Sequence, residues 1–462
     1  MLIKMLALAL ATVAATTLPA AAAVSMPEPA QGRTVELTVT TNDGQHLPAT
    51  LHVPPGVRAG APGVVLVHGA GPGAREYYER EATAFARAGI ATLTYDKRTV
   101  GYSLTERSYS QLADDALAAA DVLRTRPEVD PAKVGLWGLS EGGWVAPLAA
   151  SREPRTAFLV VIGANGMPPL RQHSWAERVK AEHAGIRGSM VTAYSRTFWR
   201  LLDAMGLFAE AHHDPTPTLR SLTLPVLGIW GALDRSTAPV ENVEAFRLNL
   251  DAAGNRHYTL RTVAGAEHQV LQSADGWAKG DEFAPGYVEL MTGWVHEAAA
   301  GRAPATSIEA AGEQSGATRE MRPPSLIESA PVQLGVLGVA VVGLGGFVLA
   351  SLWRRLRGGR TSWPAYLAAG AGFVAALGAP VYISYLQAVS GGTPTANGTI
   401  DPGPLVAGRT LPWLGLQVLA VVAVVAAVVT FARNRPTGRH ALLLTGVVAF
   451  VAWGVWWGLL LP

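Results

Sequence analysis

Lys133-Val134-Gly135-Leu136-Trp137-Gly138-Leu139-Ser140-Glu141-Gly142-Gly143-Trp144-Val145-Ala146-Pro147-Leu148-Ala149-Ala150 is the stretch on which the reading of this chain turns. Its first five residues form a short apolar run of the kind that makes a buried strand, and its last seven are helix-like. Between them stands Gly138-Leu139-Ser140-Glu141-Gly142, a Gly-x-Ser-x-Gly pattern on a strand-to-helix turn. A serine there is forced onto a sharp corner, and the glycines two residues to either side let strand and helix close on it. Its hydroxyl is presented at a helix N-terminus, where backbone N–H groups stabilise an anion. That is the geometry of a nucleophile. The pattern occurs by chance, so its weight rests on what surrounds it.

Upstream, Gly63-Val64-Val65-Leu66-Val67 reads as a buried strand running into the loop His68-Gly69-Ala70-Gly71-Pro72-Gly73. Acyl transfer at a serine needs two N–H donors aimed at the developing oxyanion. The residue after the nucleophile, Glu141, offers one, and Ala70 in this loop is the candidate for the other. Small residues suffice for the loop, because only its backbone must approach.

Downstream, the strand Pro225–Gly231 ends in Ala232-Leu233-Asp234-Arg235-Ser236, and the strand His257–Val263 ends in Ala264-Gly265-Ala266-Glu267-His268. Asp234 and His268 thus both lie just past strand C-termini, where sites in open α/β sheets are built. A serine hydroxyl becomes a good nucleophile when a histidine takes its proton and a carboxylate holds the histidine tautomer. Ser140, His268 and Asp234 are the candidate catalytic residues. His173, His183, His212 and His213 fall in a helical insertion and read as packing or surface residues, while His257 starts a strand. Asp214 and Asp251 are the rival carboxylates, and Asp251 reads as the solvated end of a helix.

With these motifs in place, the chain resembles the α/β-hydrolase superfamily. It is similar in particular to bacterial serine esterases and serine aminopeptidase-like hydrolases, which combine a Tyr-Asp-Lys-Arg-x-x-Gly-x-Ser segment with a Gly-x-Ser-Glu-Gly-Gly elbow. Here these are Tyr95-Asp96-Lys97-Arg98-Thr99-Val100-Gly101-Tyr102-Ser103 and Gly138 to Gly143. The family's His-Gly loop matches His68-Gly69, and Thr99 departs from the usual glycine. The resemblance covers roughly residues 33 to 300 and implies the order Ser140, Asp234, His268. Asp96, Lys97 and Arg98 read either as a lining of the site, with Lys97 or Arg98 pairing Glu141, or as a buried ion-pair brace under the elbow. The brace is the favoured reading.

Strands are expected near 34–40, 48–53, 63–68, 90–95, 133–138, 157–163, 225–231 and 257–263. Helices are expected near 75–88, 110–124, 142–151, 238–252 and 284–299. Strand–helix alternation after residue 60 predicts an α/β fold with a mostly parallel sheet and helices on both faces. Asn42-Asp43-Gly44 predicts an antiparallel hairpin ahead of it. Residues 165–222 are too long for a simple crossover and predict a small helical cap, with helices near 171–184 and 190–211. Trp175, Phe198, Trp199, Leu202, Met205 and Phe208 are equally readable as an acyl pocket or as cap core.

The remainder is not soluble in character. Of 462 residues, 49% are hydrophobic and 16% charged, which points to a part outside water. Four apolar stretches at about 332–353, 363–388, 410–432 and 441–461 are each close to the roughly 20 residues of a spanning helix. Arg354, Arg355, Arg357 and Arg360 follow the first, and Arg433, Arg435 and Arg439 follow the third. The positive-inside rule places both clusters in the cytoplasm and residues 24–330 outside it. Trp353, Trp363, Trp413, Trp456 and Trp457 fit aromatic belts at the span ends, and Pro364 and Pro380 suggest a tilt or kink in the second span. Lys4, the apolar run Met5–Leu18 and Ala20-Ala21-Ala22-Ala23 independently predict a signal peptide over 1–23, cleaved after Ala22 or Ala23. Residues 301–330 read as a flexible linker.

A net charge of +2 gives no case for nucleic acid, and the absence of cysteine excludes disulfides and thiol chemistry. No cofactor and no metal are expected. His212-His213-Asp214 reads as a helix-end charge cluster. The expected partners are the lipid bilayer and a small-molecule or lipid-like ester, with a peptide as the alternative substrate. A third reading is a membrane protein whose soluble domain binds without cleaving and whose helices serve transport or signalling.

Overall fold

The computed structural model describes residues 32–310, 312–391, 400, 402–433 and 438–462. The expected signal peptide, residues 1–23, lies outside the described residues, as does Arg435. Gly32–Pro462 forms a single compact unit.

Nine strands make one sheet in the order β1-β2-β4-β3-β5-β6-β7-β8-β9. They are β1 (Arg33–Thr40), β2 (His46–Val53), β3 (Ala61–Val67), β4 (Ala91–Tyr95), β5 (Val129–Leu139), β6 (Leu159–Ile162), β7 (Val226–Gly231), β8 (Tyr258–Val263) and β9 (Ser307–Glu309). The pairs β1–β2 and β2–β4 are antiparallel, and every other pair is parallel. The hairpin turns at Gly44, whose φ is +83°. All eight strands expected from the sequence form. The central runs are buried on both faces, which is why they read as continuous apolar stretches.

The helices packed on the sheet are α1 (Glu79–Arg87), α2 (Tyr109–Arg124), α3 (Gly142–Arg152), α8 (Pro239–Ala252) and α9 (Tyr287–Ala299). One apolar cluster under α2, α3 and α8 and a second under α1 and α9 show that helices cover both faces. The cap lies between β6 and β7. It consists of α4 (Pro169–His183), α5 (Ser189–Thr192), a π-helical turn at Ala193–Thr197, α6 (Phe198–Ala204) and the short α7 (Thr216–Leu219). The second expected cap helix, 190–211, is therefore broken into pieces. A π turn inside a helix marks an inserted residue, which re-aims the side chains beyond it.

Four helices follow: α10 (Ala330–Leu356), α11 (Trp363–Gly391), α12 (Leu411–Arg433) and α13 (Gly438–Trp456). Their most apolar windows have mean hydropathies of 2.2, 1.6, 2.6 and 1.4, so each is long and apolar enough to cross a membrane. Small residues line the inside, among them Ala368, Ala375, Ala420 and Ala423, whereas Val342, Leu349, Val381 and Val428 point outward. This distribution suits lipid, where close backbone approach replaces hydrophobic exclusion. Backbones meet most closely at Gly343 and Gly446, where a Cβ on Gly343 would lie 2.6 Å from the Gly446 Cα.

Two expectations change. The segment read as a flexible linker is docked on the α/β half, except for residue 311, which is outside the described residues. It supplies β9, and the Trp175 indole donates to the Gly316 carbonyl at 2.9 Å. Thr318 is held by Glu241, Met321 is buried, and Arg200 binds both the Arg322 carbonyl and Glu328. Its polar composition hid these specific partners. Of the five belt tryptophans, Trp353 and Trp363 are exposed near span ends, but Trp413 and Trp457 are fully buried. They belong to one apolar cluster with Ile186, Met190, Ala193 and Tyr194 of the cap. The cap therefore seats on the ends of α12 and α13 and covers these rings.

Replacing Gly343 with Leu should separate α10 from α13 and lower stability by about 1–3 kcal/mol, the usual range for overpacking. Thermal unfolding of the detergent-solubilised full chain measures this, and Gly346→Leu, where a Cβ meets nothing within 4 Å, should have little effect.

Candidate active site

Ser140 occupies the corner between β5 and α3 with φ +56°, a left-handed conformation rare outside glycine. The corner is crowded enough to dictate its neighbours. A Cβ on Gly138 would stand 2.2 Å from the Gly142 carbonyl oxygen, and one on Gly142 would stand 2.5 Å from the Val67 oxygen. Both glycines of the motif are thus required by close backbone approach.

Asp234 follows β7 and is buried. One carboxylate oxygen accepts the Ser236 and Thr237 N–H groups at 2.7 and 2.8 Å. The other accepts the Thr237 hydroxyl at 2.6 Å and faces His268 Nδ1 at 2.8 Å. This fixes the imidazole with Nε2 as its remaining nitrogen. Burial disfavours charge on His268, but the Asp234 carboxylate outweighs it, and the imidazole is held above its ordinary value. The side chain keeps 13% of its surface exposed, so it stays reachable. Ser140 and His268 line one cavity of about 990 Å³. No hydrogen bond joins Ser140 Oγ to His268 among the described residues, a common situation in an empty site.

The same cavity is lined by Ala70 and Glu141. The loop carrying Ala70 abuts the nucleophile, for a Cβ on Gly69 would lie 3.5 Å from the Ser140 Cβ. Tyr78 and Tyr102 hydroxyls accept the N–H groups of Gly69 and Gly71, each at 3.0 Å. The intervening N–H of Ala70 and that of Glu141 have no acceptor among the described residues. Two free donors therefore flank the serine.

The charged cluster is a brace with divided partners. Lys97 Nζ donates to Glu141 at 2.6 Å and to the Gly69 carbonyl at 2.7 Å, tying the elbow to the Ala70 loop. Arg107 and the Tyr102 hydroxyl also donate to Glu141. Burial would raise the Glu141 carboxyl, but Lys97 and Arg107 outweigh it and hold it below its ordinary range. Arg98 instead pairs Asp115 and Asp43, while Asp96 binds Arg75. Of the two sequence alternatives for pairing Glu141, Lys97 is the residue that does so.

The remaining histidines are engaged elsewhere. His68 Nε2 lies 2.6 Å from the Tyr95 carbonyl oxygen, and burial pushes its pKa down to about 4, so it is a neutral clip for the loop. His212 pairs Asp203, and His213 packs edge-on to Tyr109. His183 stacks on Trp277, and His257 is exposed. His173 lines the cavity with its ring against Trp199, and burial lowers it to about 4. Asp214 caps Thr216 at the surface, and Asp251 is an exposed helix-end residue bound by Arg247 and Tyr258. No group of three or more metal-ligating side chains occurs among the described residues.

Phe198, Trp199, Leu202 and Phe208 line the cavity as an apolar wall. Trp175 instead packs with Met167, Val179 and Ala238, and Met205 is 42% exposed, so neither belongs to that wall. Sequence reading missed Arg107 and Thr237, and it missed Gln387 and Ala388 of α11, which complete the wall. Thr237 had a signal, since N–H donors two and three residues after an aspartate make an ordinary capping turn. Arg107 and Gln387 had none.

Parts of the chain are similar to known proteins. Residues 61–196 match the family model described as serine aminopeptidase, S33. A thiohydrolase of Arthrinium phaeospermum is 33% identical over 109 residues, 23% of this chain and 36% of the relative. An uncharacterised protein of Mycobacterium tuberculosis is 33% identical over 166 residues, 33% of this chain and 58% of the relative. The chain thus spans about a third to just over half the length of these two relatives. A puromycin-hydrolysing peptidase of Mycobacterium tuberculosis superposes with a TM-score of 0.41 at 20% identity, covering 62% of this chain and 42% of that one. The chain thus combines an α/β fold, carrying a serine aminopeptidase-like segment over residues 61–196, with four long apolar helices.

Lys97→Met should destabilise the α/β half by up to about 3–5 kcal/mol, because it removes one of the two cations paired with the buried Glu141 carboxylate. Denaturant unfolding of the full chain checks this, and adding Glu141→Gln to Lys97→Met should restore part of the loss.

Proposed function

We propose that this chain is a membrane-anchored serine hydrolase that cleaves carboxylic esters through Ser140, His268 and Asp234. The observation that carries the reading is the pair of free N–H groups at Ala70 and Glu141, flanking a strained serine in the cavity that also holds the Asp234-bound His268. In this reading His268 Nε2 takes the Ser140 proton as Oγ attacks the carbonyl carbon. The oxyanion is received by the two N–H groups. His268 then gives its proton to the leaving alkoxide, an acyl-serine forms, and water activated by His268 releases the acid. No metal or cofactor is invoked.

Ester is favoured over aminopeptidase chemistry by the pairing of the carboxylates. A free substrate amine needs an unpaired acid in the cavity. Of the carboxylates that line the cavity, Glu177 is paired with Lys180 at 2.7 Å, Glu141 is paired with Lys97, and Glu267 accepts the Gln269 and Leu271 N–H groups. Glu182 and Glu210, also in the cap, are held by Arg178 and by the Tyr109 N–H. The apolar wall of Phe198, Trp199, Leu202 and Phe208 suits an acyl chain. Its continuation to Gln387 and Ala388 of α11 supports a lipid-like substrate that enters at the membrane surface.

The enzyme half is assigned to the extracytoplasmic side of a multi-pass membrane protein. The cap seats on the ends of α12 and α13 remote from the arginine-rich turns after α10 and α12. Those turns belong in the cytoplasm by the positive-inside rule.

Ser140→Ala should abolish hydrolysis of p-nitrophenyl acyl esters and labelling by a fluorophosphonate. Asp234→Asn should lower kcat by roughly 10⁴-fold. Turnover of aminoacyl-p-nitroanilides in place of esters would move the assignment to a peptidase. Because only neutral His268 can accept the proton and its pKa is raised, kcat/KM should fall with decreasing pH through a midpoint above 6.5. The chain has no cysteine, so Leu248→Cys should react with an impermeant maleimide on intact cells and Arg357→Cys only after lysis. The reverse pattern would invert the orientation.

A further inference from the structure

A second cavity, of about 440 Å³, lies against a different face of α4 from the one that borders the active-site cavity. Arg178, Arg187, Arg196 and Arg319 line it, and Glu182 is its one lining carboxylate. Glu182 is taken by Arg178 at 2.7 Å. Arg187 donates to the carbonyl oxygens of Glu182 and Ile186, which carry no charge to offset its own. Arg196 and Arg319 have no hydrogen bond or ion pair among the described residues. Arg187, Arg196 and Arg319 thus face a small cavity whose one lining carboxylate is already taken. Burial holds the Arg196 guanidinium below the usual arginine range, and repulsion from Arg200 and Arg319 acts in the same direction. Collecting like charges this way is unfavourable unless an anion occupies the space.

The position of the cavity identifies the anion. The Arg187 N–H donates to the Gly408 carbonyl just before α12, at 2.8 Å, and the Ser189 N–H donates to the Pro462 carbonyl beyond α13, at 2.9 Å. Ser189 Oγ donates to the Gly458 carbonyl at 2.7 Å. Gly188, which lines the cavity, is flanked by Arg409, whose Nη2 would lie 3.3 Å from a Cβ at Gly188. The cavity therefore sits where two candidate spanning helices end, at the depth of lipid headgroups. Arginine forks match phosphate oxygens, and basic pockets at this level take phospholipid headgroups.

We propose that this arginine-lined cavity binds the phosphate of an anionic phospholipid headgroup, at a site separate from the catalytic one. Surplus positive charge disfavours a zwitterionic headgroup, whose own cation would have to be accommodated. Occupancy would tie the cap to the membrane surface through α4, the helix that also borders the active-site cavity.

The test uses the full chain carrying Ser140→Ala in a neutral detergent, so that no lipid is hydrolysed and the result is independent of the catalytic assignment. Calorimetry and thermal unfolding are followed on adding dihexanoyl phosphatidylglycerol, dihexanoyl phosphatidylcholine or inorganic phosphate. Saturable binding of the glycerol lipid with a raised Tm is expected. The Arg196→Gln/Arg319→Gln double variant should weaken it at least about tenfold, as expected for lost hydrogen bonds to a charged group. Its Tm without lipid should be unchanged or raised, since neither side chain has a partner and the two repel each other. Arg319→Gln alone, at an exposed position, serves if the double variant does not fold. Arg354→Gln/Arg355→Gln, in the last turn of α10 at the far end of the bundle, should bind normally. Equal binding of the choline lipid, or undiminished binding by the arginine variants, overturns the proposal. Binding of inorganic phosphate as tight as that of the glycerol lipid overturns the lipid assignment and leaves a free-phosphate site.

Discussion

A serine held at φ +56° is stable only if the structure around it leaves the backbone no alternative. Here the restraint is steric on one side and electrostatic on the other. Strand β5 and helix α3 approach so closely that Gly138 and Gly142 have no room for a side chain. Glu141, the next residue after the serine, is anchored by Lys97, Arg107 and Tyr102. Lys97 also binds the Gly69 carbonyl, so one ammonium group ties the residues carrying the two free N–H groups, Ala70 and Glu141, to a common frame. Donor position, nucleophile position and loop position are therefore coupled through a buried charge.

Such a charge cluster is a poor source of net stability, because desolvation offsets much of the attraction. Its value is geometric. An apolar replacement of Lys97 and Glu141 would fill the same space, but the direct tie between the elbow and the Ala70 loop through Lys97 would be lost. The Asp234 cluster follows the same logic on the other side of the cavity. Three donors from Ser236 and Thr237 hold its carboxylate before His268 binds to it, so the imidazole meets a fixed partner.

The cap joins the two halves of the molecule. One face of it supplies Trp199 and Phe208 to the cavity, and another buries Ile186, Met190 and Tyr194 against Trp413 and Trp457 of the helical bundle. Gln387 at the end of α11 both lines the cavity and donates to the Tyr194 carbonyl at 2.9 Å. A change in how the cap meets the bundle is therefore a change in the shape of the active-site cavity. This gives the helices a part in shaping the cavity.

Much of the enzyme half was legible in the linear sequence. Buried parallel strands advertise themselves as unbroken apolar runs, and Ser140, Asp234 and His268 stand just past strand ends, where local pattern alone locates them. The four apolar stretches were equally plain, because spanning length is a one-dimensional property. What the sequence could not show was every relation between residues distant along the chain. Residues 301–330 looked unstructured, since their partners Trp175, Glu241 and Arg200 lie 70 or more positions away. Trp413 and Trp457 looked like belt residues because composition does not reveal that a cap covers them. Arg107 reaches Glu141, and Arg319 joins Arg178, Arg187 and Arg196 around one cavity, only once the chain is folded. Strand, elbow and span follow from short-range sterics and hydropathy, which the order of residues carries directly. Ion-pair partners, cavity walls and the seat of the cap follow from which surfaces are brought together, which only the tertiary structure decides.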